Sequence, residues 1–443
     1  MQLRHKLILF LVAALMAVLV ACGGQTAAPE PAATQEQPPE SVEVVRTTAE
    51  ALPPPAVISE IVPTPTLAPV AEENEPEIAP EPALSGPFPR DEFGYGIQIH
   101  GNATVGNPAD TMTAVRDQLG MNWVKAQVQW WLVEPDREGE KQWFFYDAVI
   151  DEAHNKGLRL LLSVVGAPAW TRADGTENGP PDDYNEYARF LGELIDRHPG
   201  KIDAIEVWNE QNLDREWTSA NGISPEDYVR FLQVAYDTIK AKDPDIIVVS
   251  GALSPTGTGD WVRWADDFEY MQRALAAGML NYADCVGAHH NGYNIGPDVT
   301  SEAAGASDQA ATSLFRGPFD NPHHSWSFKT TLDTYASLVQ AVDPDKKLCI
   351  TEFGWASTEG YTEFPAGFEF AQDNTLQEQA TYIVQAFQQM HDSGDVWLAF
   401  LFNFDFGNKG NGPTDDPVPY SIIDALGIPR PAFGALAEMP KVP

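Results

Sequence analysis

The sequence predicts an α/β protein in which eight strand–helix units close into a (β/α)8 barrel, also called a TIM barrel. Short apolar runs alternate with amphipathic helical segments, which is the pattern of βα units and a parallel sheet. Eight such units fill about 350 residues, and a barrel of this kind needs about 250 residues plus insertions. An open doubly wound sheet is the alternative. No GxGxxG motif follows the first run, and eight repeats favour closure.

The eight predicted strands are apolar runs rich in β-branched residues. They are YGIQIH from Tyr95, WVKAQVQ from Trp123, LRLLLSV from Leu158, AIEVW from Ala204, IIVVSG from Ile246, CVGAH from Cys285, LCITE from Leu348 and LAFLFNF from Leu398. Helical segments fit between them, for example PEDYVRFLQVAYDTIKAKD and LQEQATYIVQAFQQMHDSG. Asn155 to Gly157 and Ser393-Gly394 are predicted helix stops. The longest predicted loop runs from Asn291 to Ser327 and joins strand six to its helix.

The first 22 residues predict an export signal. Arg4 and Lys6 precede the run LILFLVAALMAVLV, which is shorter than a typical membrane span. The ending LVAC, followed by two glycines, resembles a bacterial lipobox. That resemblance implies a lipoprotein signal at 1–22, with Cys22 lipidated as the first mature residue and the chain anchored outside the cytoplasm. An ordinary signal peptide or a signal anchor is the alternative, and the protein would then be secreted or held by that segment.

Residues 23–87 are predicted to be a disordered tether rich in Pro, Ala and Glu. This segment has no aromatic residue, and 15 of the 36 prolines fall between positions 23 and 90. Such a composition buries too little surface to offset the entropy of ordering the chain. All 12 tryptophans occur from Trp123 onward, so residues 88–443 are predicted to form the folded domain. The tether would hold this domain clear of a membrane surface.

Charge and cysteine content limit the possible partners. Lys and Arg total 27 against 64 Asp and Glu, a formal net charge of -37. This excess repels phosphate backbones, so nucleic acid is not an expected partner, and strongly anionic substrates are disfavoured. Cys285 and Cys349 lie on apolar runs, where buried free thiols are the default expectation. The sequence leaves open whether the two runs are neighbouring strands that allow a bridge.

Two carboxylates end otherwise apolar strands. Glu210 ends the fourth predicted strand, and Glu352 ends the seventh. Strand ends surround the functional mouth of such a barrel, so the two side chains are expected to face each other. Paired carboxylates are the groups that glycoside hydrolysis requires, one as acid and the other as nucleophile or base. Repulsion and partial burial should raise the pKa of one group and keep it protonated as the acid. Alternatively, each Glu caps or ion-pairs with a loop.

The motifs VWNEQN and ITEFGW resemble the two signatures of clan A glycoside hydrolases, and families 5 and 39 are the nearest. The resemblance implies that Glu210 is the acid/base, that Glu352 is the nucleophile of a retaining double displacement, and that Asn209 holds the 2-hydroxyl of the sugar. It further implies a β-linked polysaccharide or oligosaccharide substrate and no cofactor. The likeness covers nearly the whole barrel, from WWLVEPDREGEKQWFF to GIPRPAFGAL near the C-terminus.

Several positions depart from the pattern of that clan. The proline that usually follows the acid/base is Gln211, and the strand-two arginine corresponds to Lys125 or lies elsewhere. Phe402 stands where many members carry a tryptophan beneath the sugar. His289 matches the strand-six histidine, but Tyr293 is displaced in spacing from the usual tyrosine. These departures concern sugar binding more than the two carboxylates.

Aromatic and histidine residues near the strand ends complete the predicted site. Trp170 and Trp355 directly follow strand ends and are the preferred sugar platforms, whereas Trp130, Trp131, Trp217 and Trp326 are more typical of the core. His289 and His290 are adjacent, so on a strand they point to opposite faces and rarely bind one metal ion. No metal site is therefore predicted, and His323 and His324 are expected to be loop residues.

Three functions are consistent with these features to different degrees. A membrane-tethered retaining glycosidase explains both glutamates and Asn209. A non-catalytic carbohydrate-binding lipoprotein on a decayed glycosidase barrel would not need to keep them. A solute-binding lipoprotein for import shares the lipobox and the acidic charge, but it should show two α/β lobes with a hinge. No protein partner is indicated by the sequence.

Overall fold

Residues 86–442 are described by a computed structural model. The predicted signal at 1–22, Cys22 and nearly all of the tether lie outside the described residues. The predictions made for them remain predictions.

Eight parallel strands form the barrel and confirm the predicted (β/α)8 fold. They are β1 (Gly94–Gln98), β2 (Trp123–Gln129), β3 (Arg159–Val165), β4 (Ala204–Asn209), β5 (Ile247–Ala252), β6 (Val286–Gly292), β7 (Leu348–Trp355) and β8 (Val396–Leu401). Hydrogen-bonded neighbours follow the order β5-β4-β3-β2-β1-β8-β7-β6. Parallel bridges from Val249 to Cys285 and from Leu253 to Ala288 join β5 to β6 and close the barrel.

In the described part of the chain, eight main helices surround the strands. They are α1 (Pro108–Thr113), α2 (Asp147–Asn155), α3 (Tyr184–Arg197), α4 (Pro225–Lys242), α5 (Asp267–Ala276), α6 (Phe328–Gln340), α7 (Leu376–Ser393) and α8 (Pro431–Glu438). Local sequence sets their ends. The Thr375 hydroxyl accepts from the Glu378 backbone N–H in a capping box, and Gly394 ends α7 with a φ of 71° that favours glycine. Both predicted helix stops are confirmed, since α2 ends at Asn155 and α7 at Ser393.

The remaining helical segments within residues 86–442 are short and lie in the connections. Four are α-helical turns: Trp130–Val133, Gln309–Thr312, Gly317–Asp320 and Phe406–Lys409. Seven are 3-10 turns: Trp143–Phe145, Ala169–Thr171, Met279–Tyr282, Ala304–Ala306, His324–Trp326, Glu369–Gln372 and Val418–Tyr420. Residues Ala114–Gln118 continue α1 as a π-helical turn. The long predicted loop is confirmed, because β6 ends at Gly292 and α6 begins at Phe328.

The barrel interior has an apolar layer beneath a polar one. Alternate residues of a strand face the same side, so positions two apart along a strand form successive interior layers. The apolar layer includes Trp123, Leu161, Ala204 and Cys349, all fully buried. Two residues further along the same strands come Lys125, Ser163, Glu206 and Thr351, and these are also buried. The interior therefore changes from apolar to charged just below the mouth of the barrel.

Cys285 and Cys349 form a disulfide with a Cα–Cα distance of 5.8 Å. Cys285 immediately precedes β6 and Cys349 lies in β7, and both residues are buried within the apolar layer. The expectation of burial is confirmed, and the expectation of free thiols is wrong. Sequence could not decide the point because bridging depends on strand adjacency, which only the closed sheet defines.

No helix within residues 86–442 combines the length and the apolar character that crossing a lipid bilayer requires.

Candidate active site

Glu210 lies at a distorted strand end. β4 stops at Asn209, and both Trp208 (φ 79°) and Glu210 (φ 43°) adopt the left-handed backbone region that non-glycine residues rarely occupy. The Gln211 side chain donates to the Gly251 carbonyl at 2.7 Å, and Asn212 donates to the Ser254 carbonyl at 2.8 Å. These bonds fix the turn after β4 against β5. Such strain concentrates at functional sites and persists where surrounding contacts over-determine the conformation.

Register shifts place His289 and Glu352 side by side. The pairing of β6 with β7 shifts between Ala288 and His289, and the pairing of β7 with β8 shifts between Ile350 and Phe353. Bulges of this kind re-aim side chains and are over-represented next to active sites. After the shift, His289 and Glu352 are direct partners across the two strands.

His289 brings the two glutamates together. Its Nδ1 lies 3.2 Å from Glu210 Oε1 and 3.9 Å from Glu352 Oε2. Because both distances share one nitrogen, these two oxygens are no more than about 7 Å apart, so the two carboxylates meet at one site. Both glutamate side chains are 13% exposed, so they are open to a ligand yet largely shielded from water.

The ionisation of His289 follows from these neighbours. Burial disfavours the charged imidazole, but the charge of Glu352 and the hydrogen bond with Glu210 outweigh it and raise the pKa of His289. Its other nitrogen, Nε2, is buried and has no hydrogen-bond partner among residues 86–442. An unpaired buried polar atom beside two carboxylates is available to a polar group of a ligand.

Lys125 contacts the second carboxylate from inside the barrel. Its Nζ donates to Glu352 Oε1 at 2.9 Å and to the Thr351 carbonyl at 3.2 Å. It also lies 3.4 Å from Glu206 Oε2. Burial alone would lower the pKa of Lys125, but the charges of Glu206 and Glu352 raise it, so the side chain is an ammonium. Lys125 is only 1% exposed, and its correspondence to the strand-two arginine of the clan remains a prediction.

Glu210 is held in its charged form, contrary to the expectation of an acid with a raised pKa. Burial acts in the expected direction, but the hydrogen bond with His289 and the charge of Arg215 outweigh it and lower the pKa of Glu210. Arg215 Nη2 donates to Glu210 Oε2 at 2.8 Å, and its side chain is 51% exposed. The expectation of a raised pKa is wrong for Glu210 because His289 and Arg215 both stabilise its carboxylate, and the contact with Arg215 was not visible from sequence.

A third carboxyl group lies near the pair. Burial and the charge of Glu210 raise the pKa of Glu216 to about 8, and the charge of Glu352 acts in the same direction. The Glu216 carbonyl accepts from the indole of Trp208 at 2.9 Å, which ties this loop to the end of β4. The mouth therefore holds three carboxyl groups within electrostatic reach of one another.

Asn209, Tyr293 and Phe402 are the other predicted binding residues at or near strand ends. Asn209 is 8% exposed, and its side chain makes no hydrogen bond to the described part of the chain. Burial and the charge of Glu210 raise the pKa of Tyr293 to about 12, which places its hydroxyl near that carboxylate. Phe402 is partly buried and packs on Tyr420 with ring centroids 5.5 Å apart. Their roles in substrate binding remain predictions.

Trp355 is not a platform for a sugar. It is fully buried, its indole donates to the Ile295 carbonyl at 2.9 Å, and its ring packs against Phe328 and Tyr382. The prediction is wrong because Trp355 is still part of β7, and its side chain points outward to the helices. Its position in the sequence, three residues after Glu352, did not reveal which face it occupies.

Trp170 is partly exposed, but its ring has several protein partners. The indole donates to the Glu134 carbonyl at 3.0 Å, and the guanidinium carbons of Arg137 and Arg189 lie 5.4 and 6.0 Å from the ring centroid. These contacts attach Trp170 to the loop after β2 and to α3. No contact joins it to Glu210 or Glu352, and its assignment as a platform stays a prediction. Of the tryptophans expected in the core, Trp130 and Trp217 are fully buried, whereas Trp131 and Trp326 are partly exposed.

His290 is separate from the site, as expected for the neighbour of His289 on a strand. Its ring packs edge-on against Tyr335 and Phe328, and burial lowers its pKa to about 3. One group of potential metal ligands occurs within residues 86–442, namely Asp266, Asp267 and His324. Asp267 already accepts from the Gly257 N–H and the Tyr335 hydroxyl, so it joins the loop at Gly257 to α6.

Sequence reasoning missed Glu206 and Arg215. Glu206 is a fully buried carboxylate inside β4, and the signal was visible as a charge within the otherwise apolar run AIEVW. Arg215 follows Glu210 by five residues in a polar loop, where nothing in the pattern distinguishes it from a solvated arginine. Its contact with Glu210 depends on how the loop folds back over the strand end.

The fold is that of known glycoside hydrolases. No protein-family model matches the sequence, and no curated protein matches it. Among solved structures, the barrel is similar to a family 39 glycoside hydrolase from the gut symbiont Bacteroides cellulosilyticus WH2, with a TM-score of 0.54 and 18% identity. That alignment covers 80% of this chain and 64% of the other, so this chain spans less than two thirds of that protein.

Two further structures share the likeness. The GH53 catalytic domain of Ignisphaera aggregans gives a TM-score of 0.50 at 15% identity, covering 81% of this chain and 99% of that domain. A glucosidase from Croceicoccus marinus gives 0.54 at 13% identity, covering 78% of this chain and 67% of the other. The expected likeness to clan A barrels is thus confirmed at the level of the fold.

Proposed function

We propose that this protein is a retaining glycoside hydrolase that cleaves β-linked polysaccharide or oligosaccharide. The observation that carries the proposal is the meeting of Glu210 and Glu352 at one nitrogen of His289, at the mouth of the barrel. Two carboxylates that both lie within about 4 Å of one nitrogen can act as the acid/base and the nucleophile of a double displacement. The likeness of the fold to solved glycosidases supports the same reading.

In the first step, a Glu352 oxygen attacks the anomeric carbon as the bond to the departing oxygen breaks. Only the fraction of the protein in which Glu210 carries a proton can react: Glu210 gives that proton to the departing oxygen, and a covalent glycosyl–enzyme ester results. In the second step, Glu210 takes a proton from water, the water oxygen attacks the same carbon, and Glu352 leaves as a carboxylate. The sugar keeps its anomeric configuration because both displacements invert it. Lys125 holds the Glu352 oxygen in place through the 2.9 Å contact.

Screening the purified full chain against β-glucan, xylan, mannan and galactan tests the proposal. Reducing ends should appear with at least one of these polymers, and NMR of the first product should show the β-anomer before mutarotation. Release of the α-anomer would overturn retention. Binding of a glycan without any cleavage would favour the non-catalytic carbohydrate-binding alternative.

Arg215 should control the pH range of the reaction. Glu210 must carry a proton to act as an acid, and Arg215 opposes this. Arg215→Gln is therefore expected to move the basic limb of the kcat/KM profile upward by about one pH unit. This value is at the low end of the pKa shifts that an adjacent opposite charge causes, because Arg215 is half exposed. The measurement is kcat/KM against pH for an aryl β-glycoside. Arg230→Gln, on the exposed side of α4, is the matched control. If the basic limb of the kcat/KM profile does not move, Arg215 does not control the pH range of the reaction.

We further propose that the folded domain is tethered outside the cytoplasm by a lipid on Cys22. The LVAC motif supports this, and so does the disulfide, because such bonds persist in oxidising compartments. In a bacterial host, labelled palmitate should enter the wild-type chain and should not enter Cys22→Ser, which should leave the membrane fraction. Equal labelling of both chains would refute the anchor.

A further inference from the structure

Glu206 is a buried charge that the fold itself does not require. It lies in the middle of β4 and its side chain is fully buried. Burying a carboxylate costs several kcal/mol unless it is paired and hydrogen-bonded, and apolar residues fill most barrel interiors. A charge kept at such a position has a compensating partner, and often a function.

Both Glu206 oxygens are fully engaged. Oε1 accepts from the Thr351 hydroxyl at 2.6 Å and from the Ala252 N–H at 3.4 Å. Oε2 accepts from the Ser163 hydroxyl and lies 3.4 Å from Lys125 Nζ. These partners come from β2, β3, β5 and β7, so Glu206 is the point at which the polar layer is tied together. Thr351 directly precedes Glu352 along β7.

Lys125 is shared between two carboxylates. An ammonium has three N–H donors, and Lys125 faces three acceptors: Glu352 Oε1, the Thr351 carbonyl and Glu206 Oε2. Because the side chain is 1% exposed, water does not compete for these donors. Glu206 and Glu352 therefore divide the charge of one cation between them.

We propose that Glu206 is a positioning residue for the hydrolysis proposed above: it shares Lys125 with Glu352 and thereby limits the positive charge that Lys125 gives to the nucleophile. With Glu206 in place, Lys125 orients the Glu352 oxygen without neutralising it. Without the Glu206 charge, the positive charge of Lys125 would interact with the Glu352 carboxylate alone. The carboxylate would then be more strongly stabilised in the ground state and would attack more slowly.

Opposite effects follow from removing either partner. Glu206→Gln leaves Lys125 facing one carboxylate, so Glu352 should stay ionised to lower pH. Lys125→Met removes the ammonium that Glu206 and Glu352 share, so Glu352 should take up a proton at higher pH. A residue that only fills space would shift neither titration. Besides Lys125 on β2 and Glu206 on β4, His289 on β6, Glu216 in the loop after β4 and Tyr420 in the loop after β8 interact electrostatically with Glu352. Glu210, at the end of β4, shares His289 with it.

Carbodiimide labelling tests the proposal without relying on turnover. Protonated carboxyl groups react with a carbodiimide and glycine ethyl ester, and peptide mass spectrometry measures the labelled fraction of Glu352 at each pH. The midpoint in Glu206→Gln should fall by about one pH unit relative to the wild type, and the acid limb of kcat/KM should move with it. Ser163→Ala is the matched control, because it removes a hydrogen bond to Glu206 and leaves every charge in place.

An unchanged or higher midpoint in Glu206→Gln would overturn the proposal, as would an equal shift in Ser163→Ala. If Glu206→Gln fails to fold, as judged by circular dichroism, the labelling midpoint of Glu352 in Lys125→Met provides the second test. Its midpoint should rise by about one pH unit or more, and no rise would refute the sharing of Lys125. A wild-type chain that cleaves no glycoside would refute the hydrolase function alone, because the labelling midpoints would still report on Glu206.

Discussion

Glu352→Gln is expected to abolish turnover of an aryl β-glycoside while leaving the fold intact. The amide cannot form the ester that the double displacement needs, and loss of a nucleophile costs about 10⁴-fold or more in kcat. The change is isosteric, and Lys125 can still donate to the amide oxygen, so the barrel should unfold at a similar temperature. Initial rates, together with a thermal unfolding curve, measure both parts.

Glu438→Gln is the matched control for that variant, because Glu438 is exposed at the end of α8 and should tolerate the change. Full activity in Glu352→Gln would remove Glu352 from the mechanism. Loss of activity together with loss of the folded baseline would instead mean that the variant had been destabilised. In that case Glu352→Asp, which keeps the charge and withdraws it by about one bond length, becomes the decisive comparison.

Glu210→Ala is expected to affect substrates according to their leaving groups. A poor leaving group needs the proton from Glu210, so its kcat/KM should fall by about 10²- to 10⁴-fold. A dinitrophenyl glycoside needs little protonation, so its glycosyl–enzyme should still form and then persist. Azide fits into the space left by the side chain and should rescue turnover, giving a glycosyl azide of retained configuration. Rates with and without azide, and NMR of the product, provide the measurement.

The rescue distinguishes the two glutamates. Azide should not restore a retained product in Glu352→Gln, because no glycosyl–enzyme forms there. Failure of azide to accelerate Glu210→Ala with the dinitrophenyl substrate would contradict the acid/base assignment. Equal losses for good and poor leaving groups would contradict it as well.

The barrel could be predicted from the sequence because each of its strands is buried and apolar. All eight predicted runs overlap the observed strands, and the ends differ by only a few residues, as at Leu158 and Arg159 for β3. Parallel strands buried on both faces give continuous apolar runs that differ clearly from the amphipathic helices between them. Closure of the sheet into a barrel was predicted from the presence of eight strand–helix units.

The environment of the site was harder to predict, because it depends on contacts between distant segments. Glu210 and Glu352 stand out as charges at strand ends, but their neighbours do not. Arg215 reaches Glu210 only because of the folded loop, and the bond between Cys285 and Cys349 requires β6 beside β7. Trp355 was misjudged because the last residues of β7 still alternate between two faces. Lys125 was located from a resemblance, whereas its second partner, Glu206, was overlooked inside an apolar run.

The polar layer beneath the mouth is expected to make the barrel less heat-resistant than a fully apolar interior would. Lys125, Glu206 and Glu352 occupy space that leucine or methionine could fill, and replacing a buried ionic cluster by well-packed apolar side chains often stabilises a protein by about 1 to 4 kcal/mol. A protein that no longer needed the proposed hydrolysis would therefore be expected to accumulate apolar substitutions in this layer and to become more heat-resistant. Replacing all three ionisable groups by apolar side chains is therefore expected to give a more heat-resistant barrel that lacks the proposed nucleophile.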